Sequence, residues 1–305
     1  MTNSKFILRT IAMACFLWTG IDAKPQENAH PKVTGQKSFL WQIDSGGSKV
    51  YLLGSIHLAK SDIYPLNASI ESAFAQSEYL AVEADVLSPA KAAAAALLMA
   101  SKISYGPEDN LKNHLSKDGI RFFETAVEAT GMPRERLLRY KPWFIAMSVA
   151  SIQIRKMGLS PEHGVDFHFL KKAQGVKPIL ELEGAKSQIE LLDGFTDSEQ
   201  EAFLIGTLTS LKEASGFINQ AIEAWITGDD MKMEQLIFEG METTPDIKSF
   251  YEKFLFERNL RMLDKIRQYL EQKDTTFVIV GAAHLVGEKG ILKLLVQQGF
   301  TPRQL

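Results

Sequence analysis

The chain has 305 residues, of which 45% are apolar and 23% are charged. These fractions are those of an ordinary soluble globular protein, and they exclude both a disordered chain and a membrane-embedded bundle. The formal net charge of -3 shows no excess of basic residues, which argues against nucleic acid as a partner. A chain of this length can bury a large hydrophobic core within one catalytic-sized domain.

The N-terminal segment differs from the rest of the chain. Lys5 and Arg9 come first, an apolar stretch over 11–18 follows, and small and polar residues then lead to Ala23. This order is typical of a secretory signal peptide, and the apolar stretch is shorter than the roughly 20 residues of a spanning helix. We therefore predict a signal peptide over 1–23, a periplasmic or secreted protein, and no stable membrane span after cleavage. The alternatives are an uncleaved anchor and an ordinary buried helix.

The only cysteine, Cys15, lies inside the predicted signal peptide. A lipoprotein signal also ends at a cysteine, but the Ala-Met-Ala sequence at 12–14 and the charge of Arg9 fit a lipobox poorly. Cleavage after Ala23 leaves a mature chain without cysteine, which needs no disulfide in an oxidising compartment. The same cleavage leaves 32 basic and 36 acidic residues.

The predicted elements begin with a linker over 24–37, a mostly polar stretch with two prolines. The segments FLWQID and KVYLLG flank SGGS, which predicts a hairpin because glycine tolerates the positive φ of tight turns. A helix is predicted over 67–76, with Asn67 or Ser69 as its cap. The apolar run EYLAVEAD then predicts a strand that ends at Glu83.

The middle of the chain is helical in character. The alanine-rich segment SPAKAAAAALLMASKI favours a helix strongly, and SKDGIRFFETAVEAT and KPWFIAMSVASIQIRKMG carry apolar residues at helical spacing. The segment VKPILELEG is the one further strand candidate, and it ends at Glu181 and Glu183. Helical spacing returns from TDSEQEAFLIGTLTSL to IKSFYEKFLFERNLRMLDKIRQYLEQ.

The chain closes with the strand TTFVIVGAAH, a helix near 287–298 and a last strand at FTPRQL. Strands therefore cluster at the two ends of the sequence, with a long helical section between them. This order predicts one α/β domain over 38–305, in which a central mixed sheet is built from both ends of the chain and carries a large helical insertion.

Two of the predicted strands end in the same pattern, Gly54-x-x-His57 in YLLGSIHL and Gly281-x-x-His284 in FVIVGAAHL. In open α/β sheets, ligands bind at the carboxyl ends of the strands. Glycine at such a position is expected to let the backbone turn without a Cβ clash. The repeated pattern therefore predicts one functional site that uses both ends of the chain.

Four potential ligands follow predicted strands, namely His57, Glu83, Glu183 and His284. Two imidazoles and a carboxylate are a common ligand set for a divalent cation, and they leave a position open for water. The alternative is structural: each histidine hydrogen-bonds at a strand end and holds a loop, and the glutamates are ordinary surface charges.

The remaining candidates carry weaker signals. His163 and His168 are five residues apart, which misses the i, i+4 spacing that puts two ligands on one helical face, so we interpret them as structural. His30 and His114 are interpreted as surface residues. Arg258 lies in a long amphipathic helix and is by default a solvated or ion-paired side chain.

Taken together, the motifs resemble a known family. The segments that carry the resemblance are FLWQI, YLLGSIHL, YPL, SEYLAVEAD, GVDFHFLKKAQGVKPILELEGAKSQIELLDGF, AWITGDD, FERN and FVIVGAAHLVGEKGILKLLVQQGF. In this order they resemble the TraB/GumN family over residues 39–305. That family includes GumN-like bacterial proteins, the plasmid pheromone-shutdown proteins and the Tiki proteins that inactivate Wnt. The resemblance implies an α/β fold related to the erythromycin-esterase and ChaN-like proteins.

The Tiki branch implies a divalent-metal-dependent protease, with Mn2+ or Co2+ as the expected cofactor and Zn2+ as another option. Carried over residue by residue, the resemblance implies His57 and His284 as metal ligands and Glu83 as a ligand or a catalytic base. It implies Arg258 as a site residue. Glu183 matches the glutamate of the LE motif, although this chain has LEGAKSQ where many relatives have LETxxEQ.

The leading hypothesis is a metal-dependent hydrolase that acts on a peptide bond. The histidines and one glutamate hold the cation, the other glutamate accepts the proton of water, and Arg258 stabilises the oxyanion. The expected partner is accordingly a peptide or a small-molecule substrate. A second hypothesis is a protein that binds a peptide or a haem-like ligand without turnover. A third is a metal-independent esterase with His57 or His284 as its base, although no Gly-x-Ser-x-Gly elbow accompanies it.

Overall fold

The computed structural model describes residues 37–238 and 244–305. The predicted signal peptide, His30 and all of the predicted linker except Lys37 lie outside the described residues, so these predictions stand untested. The strands are β1 (Leu40–Ser45), β2 (Ser48–Ser55), β3 (Tyr79–Val82), β4 (Ile179–Glu181), β5 (Thr275–Gly281) and β6 (Arg303–Gln304).

The strands form one six-stranded sheet in the order β4-β3-β5-β2-β1-β6. Neighbouring strands are parallel from β4 to β2, whereas β1 is antiparallel to both β2 and β6. The predicted hairpin between β1 and β2 turns at Gly46 and Gly47, whose φ angles are 56° and 99°. The predicted mixed α/β sheet built from both ends of the chain is confirmed.

The longest parallel pairing joins the two strands that carry the Gly-x-x-His motifs. It runs from Lys49 opposite Thr275 to Ser55 opposite Gly281, so β2 and β5 end at the same edge of the sheet. The side chains of β5 are buried from Thr276 onward. Burial on both faces explains why this strand is a continuous apolar run, as is typical of parallel sheets covered by helices.

The described helices account for most of the remaining chain. They are α1 (Ala68–Gln76), α2 (Pro89–Lys102), α3 (Lys117–Thr130), α4 (Arg134–Leu137), α5 (Pro142–Lys156), α6 (Val165–Ala173), α7 (Ala185–Asp193), α8 (Asp197–Thr209), α9 (Ala214–Thr227), α10 (Asp230–Phe238), α11 (Pro245–Tyr251), α12 (Glu257–Glu271), α13 (Ala282–Leu285) and α14 (Ile291–Gln297). Within the two described ranges, none of the helices has the length and apolar character needed to cross a membrane.

Local sequence signals explain several helix boundaries. Asn67 caps α1 by accepting a hydrogen bond from the backbone N–H of Ser69, as predicted. Thr196 and Glu199 form a capping box at the start of α8. The helix predicted near 287–298 begins only at Ile291, because Gly287 has a φ of 88° and Gly290, the N-cap, has an extended ψ of 152°.

Two helices matter most for the site. Helix α5 is buried on almost every side from Pro142 to Ala150, which identifies it as a central helix of the core. Helix α12 is amphipathic, and its buried face includes Arg258 and Asn259 near its N-terminus. A π-helical turn over Glu252–Phe256 precedes α12. Helix α12 therefore buries two polar side chains on the same face as its apolar residues.

Candidate active site at the carboxyl edge of the sheet

Three of the predicted site residues meet beside Gly281, the last residue of β5. A Cβ atom added to Gly281 would lie 3.0 Å from Nε2 of His57, 3.5 Å from Oε1 of Glu83 and 3.6 Å from Cδ2 of His284. The three side chains are buried, with exposed fractions of 8%, 3% and 3% in that order. Residues that are far apart in the sequence therefore reach one point because β2, β3 and β5 are adjacent and parallel.

The glycines of the two motifs provide space, and the expectation that they let the backbone turn is wrong. Gly54 lies inside β2, where a Cβ atom would stand 2.5 Å from Cδ1 of Phe39. Gly281 has φ -54° and ψ 138°, a conformation that any residue adopts. A side chain at Gly281 would instead project between His57, Glu83 and His284.

Glu83 is held from both sides of its carboxylate. Its Oε1 accepts a 2.7 Å hydrogen bond from the backbone N–H of Gly281. Its Oε2 accepts hydrogen bonds from Nη2 of Arg258 at 2.8 Å and from Nε2 of Gln188 at 3.2 Å. Nε2 of His284 lies 3.8 Å from Oε1. The carboxylate therefore has a fixed orientation, with Oε1 toward the imidazoles.

Arg258 joins the two predicted glutamates. Its Nε donates to both carboxylate oxygens of Glu183 at 3.0 Å, and its Nη2 donates to Oε2 of the same carboxylate at 2.7 Å. Its Nη1 donates to the carbonyl of Phe254 at 3.2 Å. Burial opposes its charge, but Glu83 and Glu183 outweigh burial and raise the pKa of Arg258. Of the two default interpretations, a solvated or an ion-paired side chain, the structure shows the second, because the side chain is buried and paired with both glutamates.

Glu183 belongs to this network, but its hydrogen bonds run to Arg258 and Gln188. The bond from Gln188 Nε2 is long, at 3.5 Å. Arg261, which is half exposed, approaches Oε1 of Glu183 at 4.0 Å. Glu83 is therefore the carboxylate next to the imidazoles, and Glu183 lies beside the guanidinium.

Each imidazole is held through its Nδ1 atom. Nδ1 of His57 lies 3.2 Å from Oδ1 of Asp166 and 3.5 Å from Oγ of Ser55. Nδ1 of His284 lies 2.6 Å from Oδ1 of Asn259. Asn259 donates from Nδ2 to the carbonyl of Lys289 at 2.8 Å, which fixes its amide so that the oxygen faces His284. His284 therefore donates from Nδ1 and leaves Nε2 unprotonated.

The two imidazoles differ in their protonation. Burial, and then the charge of Arg258, hold the pKa of His284 well below its usual value, so its neutral form is favoured. Burial also opposes the charged form of His57. The neighbouring Asp166 and Glu83 outweigh that effect, and the pKa of His57 is raised.

The buried charges of the site do not balance. The carboxylates of Glu83, Asp166 and Glu183 are nearly inaccessible to solvent, and Arg258 is the cation buried among them. Buried charges are costly unless they are paired. Protonation of His57 or a bound cation would each reduce this excess of negative charge.

The donor set fits a divalent cation. His284 presents an unprotonated nitrogen, and a histidine whose other nitrogen is held by a carboxylate or carbonyl oxygen is the usual form of a metal ligand. Glu83 adds a carboxylate oxygen, as is common beside two histidines. Across residues 37–238 and 244–305, no three His, Cys, Asp or Glu side chains form a ready-made metal-binding group. The chemistry of the donors therefore fits, although a closed coordination site is not preformed.

Comparison with known proteins places the chain in a family. The sequence model of the TraB/PrgY/gumN family matches residues 39–304. The chain belongs to this family. The uncharacterized protein YbaP of Escherichia coli (strain K12) is 29% identical over 253 residues, which cover 82% of this chain and 89% of YbaP. YbaP of Shigella flexneri matches with the same identity and coverage. No solved structure matches the chain significantly.

Sequence reasoning missed three polar side chains of this TraB/PrgY/gumN site, namely Asp166, Gln188 and Asn259. Asp166 lies in the first turn of α6, inside the segment whose histidines were interpreted as structural. Asn259 is adjacent to Arg258, and Gln188 lies in α7, which follows β4. The neighbours of Asp166 in the sequence carry no signal of its role, since Phe167 and His168, which follow it, are only partly buried.

The other histidines have separate surroundings. Nε2 of His168 lies 3.3 Å from Oε1 of Glu71, and the backbone carbonyl of His163 accepts a hydrogen bond from the hydroxyl of Tyr64 at 3.0 Å. His114 lies at the surface, as interpreted, with a side chain that is 24% exposed and placed between the carboxylates of Asp109 and Asp197.

Proposed function

We propose that this TraB/PrgY/gumN protein is a periplasmic or secreted metal-dependent hydrolase that acts on a peptide bond. The observation that carries the proposal is the approach of His57 Nε2, Glu83 Oε1 and the ring of His284 to one point beside Gly281. Sites with two imidazoles and a carboxylate are typical of hydrolases that use a divalent cation.

His57 and His284 would hold the cation, for which we propose Mn2+ or Co2+, with Zn2+ as another option. When bound, the cation supplies Lewis acidity and makes water a stronger acid. Asp166 and Asn259 orient the two rings through their Nδ1 atoms. This arrangement directs both Nε2 atoms toward the edge of the sheet, where β2 and β5 end together.

Glu83 is the carboxylate that we assign to proton transfer or to completing the cation site. Its Oε2 is occupied by Arg258 and Gln188, so Oε1 is the oxygen that faces the imidazoles. We assign Arg258 and Glu183 to positioning, because the guanidinium directs its Nε and Nη2 hydrogens at the two carboxylates. A fixed carboxylate lowers the cost of aligning base and water.

The proposal is tested with purified protein, by calorimetric titration with Mn2+, Co2+ and Zn2+ and by incubation with a peptide library. We expect one of these cations to bind and to support cleavage that EDTA abolishes. His57→Ala and His284→Ala should lose both properties, and the matched control His114→Gln should keep them. The proposal is wrong if no cation binds and His57→Ala leaves every activity unchanged.

The variant Glu83→Gln distinguishes the two roles considered for Glu83, catalytic base and cation ligand. It retains an oxygen atom but removes the basic carboxylate. A variant that still binds the cation and no longer cleaves identifies Glu83 as the base. A variant that loses cation binding as well identifies it as a ligand.

The close approach of His57 and Asp166 supports a second candidate, a hydrolase that works without metal. A histidine oriented by a carboxylate is the usual general base of such enzymes. Its signature would be hydrolysis that resists EDTA and is lost in His57→Ala. Retention of intact peptide, or a Soret band after addition of haem, would instead support a binding protein.

A further inference from the structure

An apolar cleft opens directly onto the two imidazoles. Its floor is formed by Ser55, His57, Gly281 and His284, and its empty volume is about 750 Å³ including the part that is open to solvent. Pockets of about 300–1,000 Å³ are typical of small-ligand sites. The cleft and the site are therefore continuous, and anything that fills the cleft contacts the rings of the site.

The walls of the cleft come from three helical regions and are apolar. Ile154 belongs to α5, Ile218 and Ile222 belong to α9, and Met233 and Ile237 belong to α10. Among the described residues that line the cleft, there is no Asp, Glu, Lys or Arg. A charged ligand group would lose its hydration there without gaining an ionic partner, which is unfavourable.

The apolar walls are partly separate from the main hydrophobic core. Ala150, Ile154, Leu159 and Ile218 form a small buried cluster of their own, against which Ile222 and other partly buried residues pack. Three members of this cluster line the cleft. Part of the apolar surface of the cleft therefore belongs to a cluster next to the imidazoles that is separate from the main core.

We propose that this cleft binds an uncharged apolar side chain of the peptide substrate, next to the bond that is hydrolysed. The inference rests on the proposed function. The side chain enters the part of the cleft between α5, α9 and α10, and the adjacent peptide group lies over the imidazoles. Because the floor of the cleft is the site itself, the apolar residue is adjacent to the scissile bond. Burial of apolar surface supplies the selectivity.

The first experiment uses a library of peptides that is degenerate at every position, with Mn2+ present. Cleavage sites are read by mass spectrometry, and peptides retained by the immobilised protein are sequenced in parallel. We expect leucine, methionine or phenylalanine beside the cut, with lysine and glutamate excluded. For single peptides, replacing the apolar residue by alanine should lower kcat/KM by at least about 10-fold.

The second experiment places a charge in the cleft. Ile222→Glu should lower the ratio of kcat/KM for the apolar peptide to kcat/KM for the alanine peptide at least about 10-fold, since the apolar peptide alone loses a contact. Ile226→Glu is the matched control, because Ile226 lies one turn further along α9 and is 36% exposed. Ile226→Glu should have the same kcat/KM values for the two peptides as the unchanged protein.

The outcomes separate this inference from the proposed function. Cleavage without any preference for apolar residues overturns the inference, and so does an Ile222→Glu protein whose preference for the apolar peptide is unchanged. Either result leaves the proposed hydrolase function standing. Retention of uncleaved apolar peptides that is lost in Ile222→Glu supports the cleft and overturns the hydrolase. If no peptide is cleaved and none is retained, the inference is wrong. Turnover of octanoyl esters alone, with peptides ignored, also overturns it, because the occupant is then an acyl chain.

Discussion

Two regions of the molecule combine histidine with carboxylates, and they differ in where the ring nitrogens point. His114 has Nε2 2.8 Å from Oδ2 of Asp109 and Nδ1 2.9 Å from Oδ2 of Asp197. Its ring also stacks on Tyr105, with centroids 4.2 Å apart. Both nitrogens are therefore engaged by neighbours within the fold, and this histidine joins segments rather than facing a ligand.

At the edge of the sheet, His57 and His284 are each held through Nδ1, with Nε2 directed into the site. The difference also appears in the pKa. Burial and Arg258 hold the pKa of His284 far below its usual value. Burial opposes the charge of His114 too, but its two aspartates outweigh burial and raise the pKa. The comparison shows that residue types alone do not define a site, since histidine and carboxylates also form a structural ion-pair cluster, the clasp of His114 with Asp109 and Asp197.

The largest effect is expected when Arg258, the positively charged side chain buried in the site, is removed. Arg258→Ala leaves Glu83 and Glu183 buried without their partner, and we expect a loss of about 3–5 kcal/mol in the free energy of unfolding. Urea denaturation measures it. The control is Arg121→Ala, whose side chain is 79% exposed and pairs with Asp118, and it should cost about 1 kcal/mol or less. Equal costs would mean that the site is not a distinct electrostatic unit.

The next test fills the point where the site residues meet. Gly281→Ala keeps an allowed backbone but places a methyl group 3.0 Å from Nε2 of His57. We expect kcat/KM to fall about 100-fold, because small displacements of reacting groups have effects of that size. Gly216→Ala in α9 meets nothing within 4 Å and serves as the control. A Gly281→Ala protein with full activity and cation affinity would show that this point is not the site.

A smaller effect is expected from the residue that orients His57. Asp166→Asn retains the shape of the side chain but removes the charge that holds Nδ1. Second partners of this kind are worth about 10–100-fold in metal affinity or activity. The variant should fold normally by circular dichroism, as should the exposed control Asp118→Asn, which should keep full cation affinity. If both variants bind the cation equally well, Asp166 has only a structural role.

The smallest effect concerns the clasp at His114. Its pKa is raised in the folded state, so its contribution to stability is complete below the unfolded value of about 6.5 and is lost as pH rises through the folded pKa. Urea unfolding at pH 5.5 and 8.5 should show a larger gap between the unchanged protein and His114→Gln at pH 5.5. We expect a gap of about 1 kcal/mol or less. A gap that grows with pH would contradict the sign.

Much of the fold follows from local patterns in the sequence. The apolar run of β5, the cap at Asn67 and the alanine-rich helix α2 each belong to a short segment whose own residues favour its conformation. The strand-end positions of His57 and His284 follow from the same patterns. These elements could be predicted because their signals lie within a few residues of each other.

The rest of the site was not predictable in this way. Asp166, Gln188 and Asn259 come from three helices, and nothing near them in the sequence indicates that they face the imidazoles. Arg258 has the pattern of an exposed charge on an amphipathic helix, but it is 3% exposed. The role of Gly54 and Gly281 was misjudged because close approach by another segment leaves no local trace.

The sequence by itself determined the order of strands and helices and the polar residues that end β2, β3, β4 and β5. The tertiary structure alone decided that β2 lies beside β5, that Arg258 is buried between two glutamates, and which nitrogen of each imidazole faces the site. The physical reason is that backbone preference is set by near neighbours. Burial, ion pairing and the direction of a ring depend on segments that meet only when the chain is packed.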